Sequence, residues 1–143
     1  MTIVPNSYGT RRPYTITLGL QEGYGTTGKT HSFEEAQDLF LQWMTKRALI
    51  KLPFLTGTLS HGQVLYAWAD KEGAHGAHEP AAVFSGEVSI LYGGDLTDKE
   101  VEVILNDLTS FVGTSLGQTR VYVSYKEHTW VLQQEESKTP TGE

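Results

Sequence analysis

Apolar and polar residues alternate along several short segments of this chain, a pattern typical of strands with one buried face. The alternating segments are 14–20, 58–69, 82–92 and 119–125. Two longer segments instead repeat apolar residues every three or four positions, which predicts amphipathic helices. Ser32 and Glu35 form a capping box that starts the first helix, expected to end near Leu49, and Thr97 and Glu100 start the second in the same way.

The predicted order is strand, helix, strand, strand, helix, strand, which resembles the ferredoxin-like fold. We therefore expect an α+β domain, with two helices on one face of an antiparallel β-α-β-β-α-β sheet, and the pattern allows an extra C-terminal strand over 129–133. The connector 70–80 is rich in glycine and alanine and is expected to be a mobile loop. We expect a flexible arm over 1–12, a single domain over 13–133 and a disordered tail over 134–143.

The sheet face opposite the helices should carry exposed aromatic side chains. The alternation offers Tyr66, Trp68 and Tyr122 as candidates, although both faces of the second and third strands carry large apolar residues. Exposed aromatic surfaces usually meet a partner or a ligand. We therefore expect this chain to form a homo-oligomer through the sheet.

Composition narrows the range of functions. A formal net charge of -6 disfavours binding to nucleic acid or to an anionic membrane. The absence of cysteine excludes disulfides and thiolate chemistry. No apolar run is long enough for a membrane span and no signal peptide is recognisable, so we expect a cytoplasmic protein. We also expect no bound cofactor.

The segment Gly23-Tyr24-Gly25-Thr26-Thr27-Gly28-Lys29-Thr30 matches the Walker A pattern G-x-x-x-x-G-K-[ST]. In a true P-loop the helix begins at the Gly-Lys itself, whereas the capping box places the helix start at Ser32. A parallel sheet of several strand-helix units is also missing, and Asp70 is the only imitation of the second, magnesium-binding motif. These departures disfavour a P-loop NTPase.

A simpler hypothesis is that this loop binds an anion without hydrolysing it. Backbone amides, hydroxyl groups, a lysine and the positive end of the first helix would hold the ligand, and an aromatic ring could stack on it. Arginines from elsewhere could add bidentate contacts to phosphate or carboxylate. The candidate ligand-binding residues are Tyr24, Gly25, Thr26, Thr27, Lys29, Thr30, Arg11, Arg12 and Arg120.

Metal and acid–base chemistry have weaker support. His75, His78 and Glu79 could formally bind zinc or nickel, but a glycine- and alanine-rich loop lacks the rigid support that metal ligands need, so we expect no metal site. No nucleophile elbow is present, and we assign no catalytic residue. The other acid–base candidates have no spacing that forces two of them together; they are His31, His61, His128, Glu22 and Glu87.

The sequence therefore favours a non-enzymatic protein that binds a small anionic, nucleotide-derived ligand and acts by sequestration or regulation. A phage or mobile-element protein that captures a host signal is one example of such a binder. The alternative is a small ferredoxin-like enzyme, an isomerase, oxygenase or phosphohydrolase, with its site at a dimer interface. A third hypothesis is a protein-interaction module.

Overall fold

The computed structural model describes residues 1–23 and 28–135. Two helices and five strands follow one another in the predicted order. They are β1 (Pro13–Gly19), α1 (Phe33–Leu49), β2 (Thr58–Asp70), β3 (Gly73–Glu87), α2 (Asp98–Ser115), β4 (Arg120–Tyr125) and β5 (His128–Gln133).

The strands form one antiparallel sheet in the order β2-β3-β1-β4-β5. The first four strands of that order have the ferredoxin-like arrangement, and β5 extends the sheet beside β4. Both helices pack against one face of this sheet. The structure thus confirms the predicted α+β fold and its additional C-terminal strand.

The core lies between the helices and this face of the sheet. Tyr14, Ile16 and Leu18 alternate along β1 and are at most 1% exposed, because β1 is the central strand and its inward side chains meet both helices. The helices are joined to each other by Trp43, whose indole Nε1–H donates to Asp107 Oδ2 at 2.9 Å. The guanidinium of Arg47 lies 5.0 Å from the Trp43 ring centroid and donates to the same carboxylate at 3.1 Å.

Both helices begin where the capping boxes predict. The side chains of Ser32 and Thr97 accept hydrogen bonds from the backbone N–H groups three residues later, and the Glu35 and Glu100 side chains accept from the two capping residues. After α2, Gly117 has a φ of +64°, the left-handed conformation that commonly ends a helix. These local signals fix the helix boundaries.

The prediction of a mobile connector over 70–80 is wrong. Strands β2 and β3 continue pairing to Asp70 and Gly73, so a turn of two residues joins them. The Asp70 carboxylate accepts from the Glu72 N–H at 2.8 Å, which closes the turn. The glycines and alanines of β3 are part of this continuous pairing, which runs without a break from Thr58↔Ser85 to Asp70↔Gly73.

The predicted end of the third strand is also wrong, since β3 stops at Glu87 rather than near Tyr92. The Ser89 hydroxyl accepts hydrogen bonds from the N–H groups of Leu91 and Tyr92, each at 3.1 Å. This local turn replaces strand pairing, and apolar alternation alone did not reveal it. In the described ranges 1–23 and 28–135, neither helix is long and apolar enough to cross a membrane.

Candidate functional site

The sheet face opposite the helices, here called the open face, is partly bounded by a projecting hairpin. Pairing between β1 and β3 ends at Gly19 and Ala81, whereas β2 and β3 stay paired as far as their turn. Residues 64–79 therefore form a two-stranded ribbon that extends beyond the central strand. We call this segment the ribbon.

The predicted aromatic exposure of the open face is confirmed. The exposed fractions of Tyr66, Trp68 and Tyr122 are 41%, 48% and 54%, and strand register places all three on this face. On the ribbon, the Tyr66 and Trp68 rings stack at 5.9 Å, and Trp68 stacks on His75 at 5.3 Å. These rings form an aromatic row that no helix covers.

A cavity of about 380 Å³ lies on the open face where the ribbon meets the end of the sheet. This volume falls within the usual range for small-molecule sites. Its walls come from β1, the stem of the glycine-rich loop, the ribbon and the start of β4. The lining residues are Thr17, Gly19, Gln21, Gly23, Val64, Tyr66, Glu79, Gln118, Thr119, Arg120 and Tyr122.

Two oxygen atoms converge above Gly19. A Cβ atom at this position would lie 2.8 Å from Gln118 Oε1 and 3.3 Å from Glu79 Oε1. Glycine therefore leaves the space into which the amide oxygen and the carboxylate point. Since both oxygens accept hydrogen bonds, this space favours a cation or a hydrogen-bond donor.

Gln118 is held in place from its nitrogen side. Its Nε2 donates to the backbone oxygens of Gln21 at 3.2 Å and Leu116 at 3.1 Å. These bonds connect the glycine-loop stem to the end of α2 and leave Oε1 facing the cavity. The acceptor orientation of Gln118 is thus fixed by the backbone.

The cavity also carries two opposite charges that are not neutralised within the described chain. Glu79 and Arg120 both line it, and neither side chain forms a hydrogen bond or an ion pair with another residue in 1–23 or 28–135. Glu79 is half-buried and Arg120 is exposed at the start of β4. A ligand with charges of both signs would complement this pair.

The candidate residues of the Walker-like segment divide into two groups. Tyr24, Gly25, Thr26 and Thr27 lie outside the described residues. Lys29 and Thr30 precede α1 and pair with the other side of the loop: the Lys29 oxygen accepts from the Glu22 N–H at 2.8 Å, and Thr30 bridges to Gln21.

The helix begins only at Phe33, so the P-loop arrangement with a helix starting at Gly-Lys is not formed. Neither Lys29 nor Thr30 lines the cavity.

The three candidate arginines are not brought together. Arg120 opens β4 beside the cavity, whereas Arg11 and Arg12 precede β1, whose seven residues span roughly 20 Å to the cavity end. Arg11 pairs with Glu87 at 3.1 Å. The Arg12 guanidinium donates to the Leu96 carbonyl oxygen at 2.8 Å and to the Tyr125 hydroxyl at 2.9 Å. Arg11 and Arg12 are therefore bonded to other residues of the domain and lie away from the cavity.

Among the acid–base candidates, the side chains of His31 and Glu22 lie close together. The His31 side chain, just before α1, is only 7% exposed. Its Nδ1 lies 2.8 Å from Glu35 Oε2 and its Nε2 lies 3.6 Å from Glu22 Oε2. The hydrogen bond from His31 lowers the pKa of the Glu35 carboxyl group, helped by the Ser32 N–H.

This cluster supports the stem of the glycine loop rather than the cavity wall, because neither His31 nor Glu35 lines the cavity.

The ribbon shows no metal-binding arrangement. His75 and His78 lie three residues apart in β3 and therefore project from opposite faces. His75 Nε2 contacts Asp70 Oδ1 at 3.0 Å, and His78 Nδ1 contacts Gln63 Oε1 at 2.9 Å. Across the described part of the chain, no three His, Asp or Glu side chains cluster closely enough to hold a metal ion.

Sequence reasoning missed Gln118 as a site residue and considered Glu79 only as a metal ligand. The predicted loop over 70–80 assigned the Glu79 side chain to neither face of the sheet. Once β3 is extended to Gly73, the alternation of the strand places Glu79 on the open face. No local sequence signal marks Gln118, because its orientation depends on a hydrogen bond to Gln21, which is 97 positions away in the chain.

Two solved structures share this fold over nearly the whole chain. One is described as a phage SAM lyase in complex with S-methyl-5′-thioadenosine; it has a TM-score of 0.68 and 14% identity, and covers 96% of this chain and 100% of its own. The other, a phage SAM lyase in the apo state, has a TM-score of 0.64, 15% identity and the same coverage. No family model matches the sequence, and no curated protein matches it either.

Proposed function

We propose that this protein binds S-adenosylmethionine (SAM) in the open-face cavity and cleaves it, releasing S-methyl-5′-thioadenosine. The observation that carries the proposal is the pair of unneutralised charges, Glu79 and Arg120, in one aromatic-walled cavity. The shared fold of two phage SAM lyases supports it. A phage origin for this chain is part of the same proposal.

The charges of SAM complement those of the cavity. SAM carries a sulfonium cation, an ammonium group and a carboxylate. Glu79 and the Gln118 oxygen offer acceptors for a cation above Gly19, and Arg120 offers a bidentate contact to the carboxylate. The proposed ligand contains adenosine and so agrees with the predicted nucleotide-derived class. It differs from the predicted anionic ligand, because its two cationic groups outnumber its one carboxylate.

The aromatic walls suit the rest of the molecule. Tyr66 and Tyr122 both line the cavity. Tyrosine faces stack on purine rings and attract cations, each contact being worth about 1 kcal/mol. These two side chains would hold the adenosine and shield the sulfonium from water.

Cleavage breaks the bond between the sulfonium sulfur and the γ-carbon of the methionine side chain. The electron pair of that bond stays on sulfur, which becomes the neutral thioether of S-methyl-5′-thioadenosine. The remaining four-carbon fragment balances the reaction either by forming a bond to its own carboxylate or by losing a proton. Since the product has lost its cationic sulfur, its attraction to Glu79 is weaker and its release is favoured.

The test combines calorimetric titration with SAM and mass spectrometry of the reaction mixture. We expect SAM binding and accumulation of S-methyl-5′-thioadenosine. Glu79→Gln and Arg120→Ala should each weaken SAM binding about tenfold, equivalent to about 1.4 kcal/mol. Glu79→Gln should change the affinity for the neutral thioether much less.

Matched controls are Glu127→Gln and Lys99→Ala, exposed charges in the β4–β5 turn and the first turn of α2. Both should behave as the unmodified protein. Stoichiometric retention of SAM without thioether release would replace cleavage by sequestration. Absence of SAM binding would contradict the proposal as a whole.

We further propose that a second copy of the chain packs on the open face and encloses the cavity. A two-stranded ribbon is marginally stable alone, and its aromatic row is exposed. Light scattering after gel filtration should give a multiple of 15.8 kDa. Trp68→Ser should reduce that mass, whereas Val103→Ser, an exposed apolar control on α2, should not. A monomer at all concentrations would contradict this assembly.

A further inference from the structure

A second concave surface lies at the opposite end of β1 from the SAM cavity. The segments 50–57 and 88–96 enclose a groove of about 230 Å³. No lining side chain carries a charge, and most are apolar. The lining residues are Leu52, Pro53, Phe54, Leu55, Thr56, Val88, Ser89, Tyr92, Gly93 and Leu96.

Exposed apolar residues lie next to the groove-lining residues along the chain. Leu49 is 82% exposed and Tyr92 is 91% exposed, and Ile50, Ile90 and Leu91 are each about half exposed. Contiguous exposed apolar side chains of this kind mark interaction surfaces. The groove therefore has the character of an unfilled binding site for an apolar segment.

The N-terminal residues have matching properties. The side chains of residues 1–10 carry no charge, and Ile3, Val4 and Tyr8 are 86%, 68% and 86% exposed. We call residues 1–9 the apolar arm. It leaves the domain beside the groove, because a Cβ atom at Gly9 would lie 2.7 Å from Ile90 Cγ2.

We propose that the groove of one copy binds the apolar arm of a second copy. The eight residues before Gly9 reach about 26 Å when extended, enough to cross from one copy to the next. Pro5 favours an extended conformation around it, as in other segments that bind apolar grooves.

A second copy is favoured over the chain's own arm because residues 1–9 do not line the groove. The Arg12 oxygen accepts from the Val88 N–H at 3.1 Å, and the chain then passes Ile90 at Gly9. The apolar side chains of the arm are exposed, so the arm does not occupy its own groove. An exposed arm is free to enter the groove of a second copy.

The test is cross-linking between single introduced cysteines, which is possible because the chain contains no cysteine of its own. Unlabelled Val4→Cys protein is mixed with ¹⁵N-labelled Leu52→Cys protein and treated with a short bismaleimide. Mass spectrometry distinguishes mixed dimers from each self-linked pair. We expect mixed dimers several-fold in excess of those formed by Val4→Cys with ¹⁵N-labelled Thr114→Cys, a control on the exposed end of α2.

Equal cross-linking of Leu52→Cys and Thr114→Cys, or none with either, would overturn the proposal. A Val4→Cys/Leu52→Cys double variant provides a further check. If its two cysteines cross-link within one chain at every protein concentration and no mixed dimers form, the groove binds the chain's own arm and the proposal is also overturned. Because the groove shares no lining residue with the open-face cavity, cross-linking at Leu52 tests arm binding separately from SAM binding.

Discussion

Asp98 shows how one side chain joins three parts of this molecule. Its carboxylate accepts from the Tyr125 hydroxyl at 2.5 Å, the Lys126 ammonium at 2.9 Å and the Arg12 guanidinium at 3.0 Å. These donors hold the pKa of Asp98 well below its usual range, with the Tyr125 bond contributing most. The bonds fasten the first turn of α2 to β4 and to the start of β1.

This arrangement predicts a pH-dependent stability. A carboxyl group with a lowered pKa in the folded state stabilises the protein above its unfolded-state pKa, near 4, and loses that contribution as pH falls. Asp98→Asn should therefore unfold at lower urea concentration than the unmodified protein at pH 7, and the difference should shrink toward pH 2.5. Asp38→Asn, an exposed carboxylate on α1, is the control, and an equal loss there would contradict the prediction.

At the scale of elements, local sequence signals succeeded where the decisive contacts are local. Each capping box spans four residues, so the sequence alone located both helix starts. The sequence predicted the β2 half of the ribbon but not its β3 half, because the glycines and alanines of 73–79 resemble a loop and only their pairing with β2 makes them a strand. As a result, the sequence did not predict that Glu79 lies on the open face, because this position follows from the strand pairing.

The cap of α2 gives a quantitative prediction. Thr97→Ala removes the side-chain acceptor of the Glu100 N–H and should destabilise the protein by about 1 kcal/mol. Ser110→Ala, on the exposed side of the same helix, should change stability by less than about 0.5 kcal/mol. Urea unfolding measures both, with an unchanged slope showing that the denatured state is unaffected. Equal effects would exclude a capping role for Thr97.

At the scale of the whole molecule, the site depends on the order of the strands. Gly19, Glu79 and Gln118 meet because β1 lies between β3 and β4, although the three residues are separated by up to 99 positions. The sequence predicted the fold class and the exposed aromatic rings. Among its candidate ligand-binding residues, Arg120 lines the cavity, whereas Lys29 and Arg12 do not. It could not predict the cavity itself, since the walls come from segments far apart in the chain.

The central position of β1 also determines when this chain can fold during synthesis. Its partners are residues 81–87 and 122–125, so β1 stays without neighbours until most of the chain has left the ribosome. Closing such long loops costs entropy before any pairing compensates for it. A nascent chain that ends at α1 therefore has helix signals but no sheet to pack on. Folding should become cooperative only once β4 has been translated.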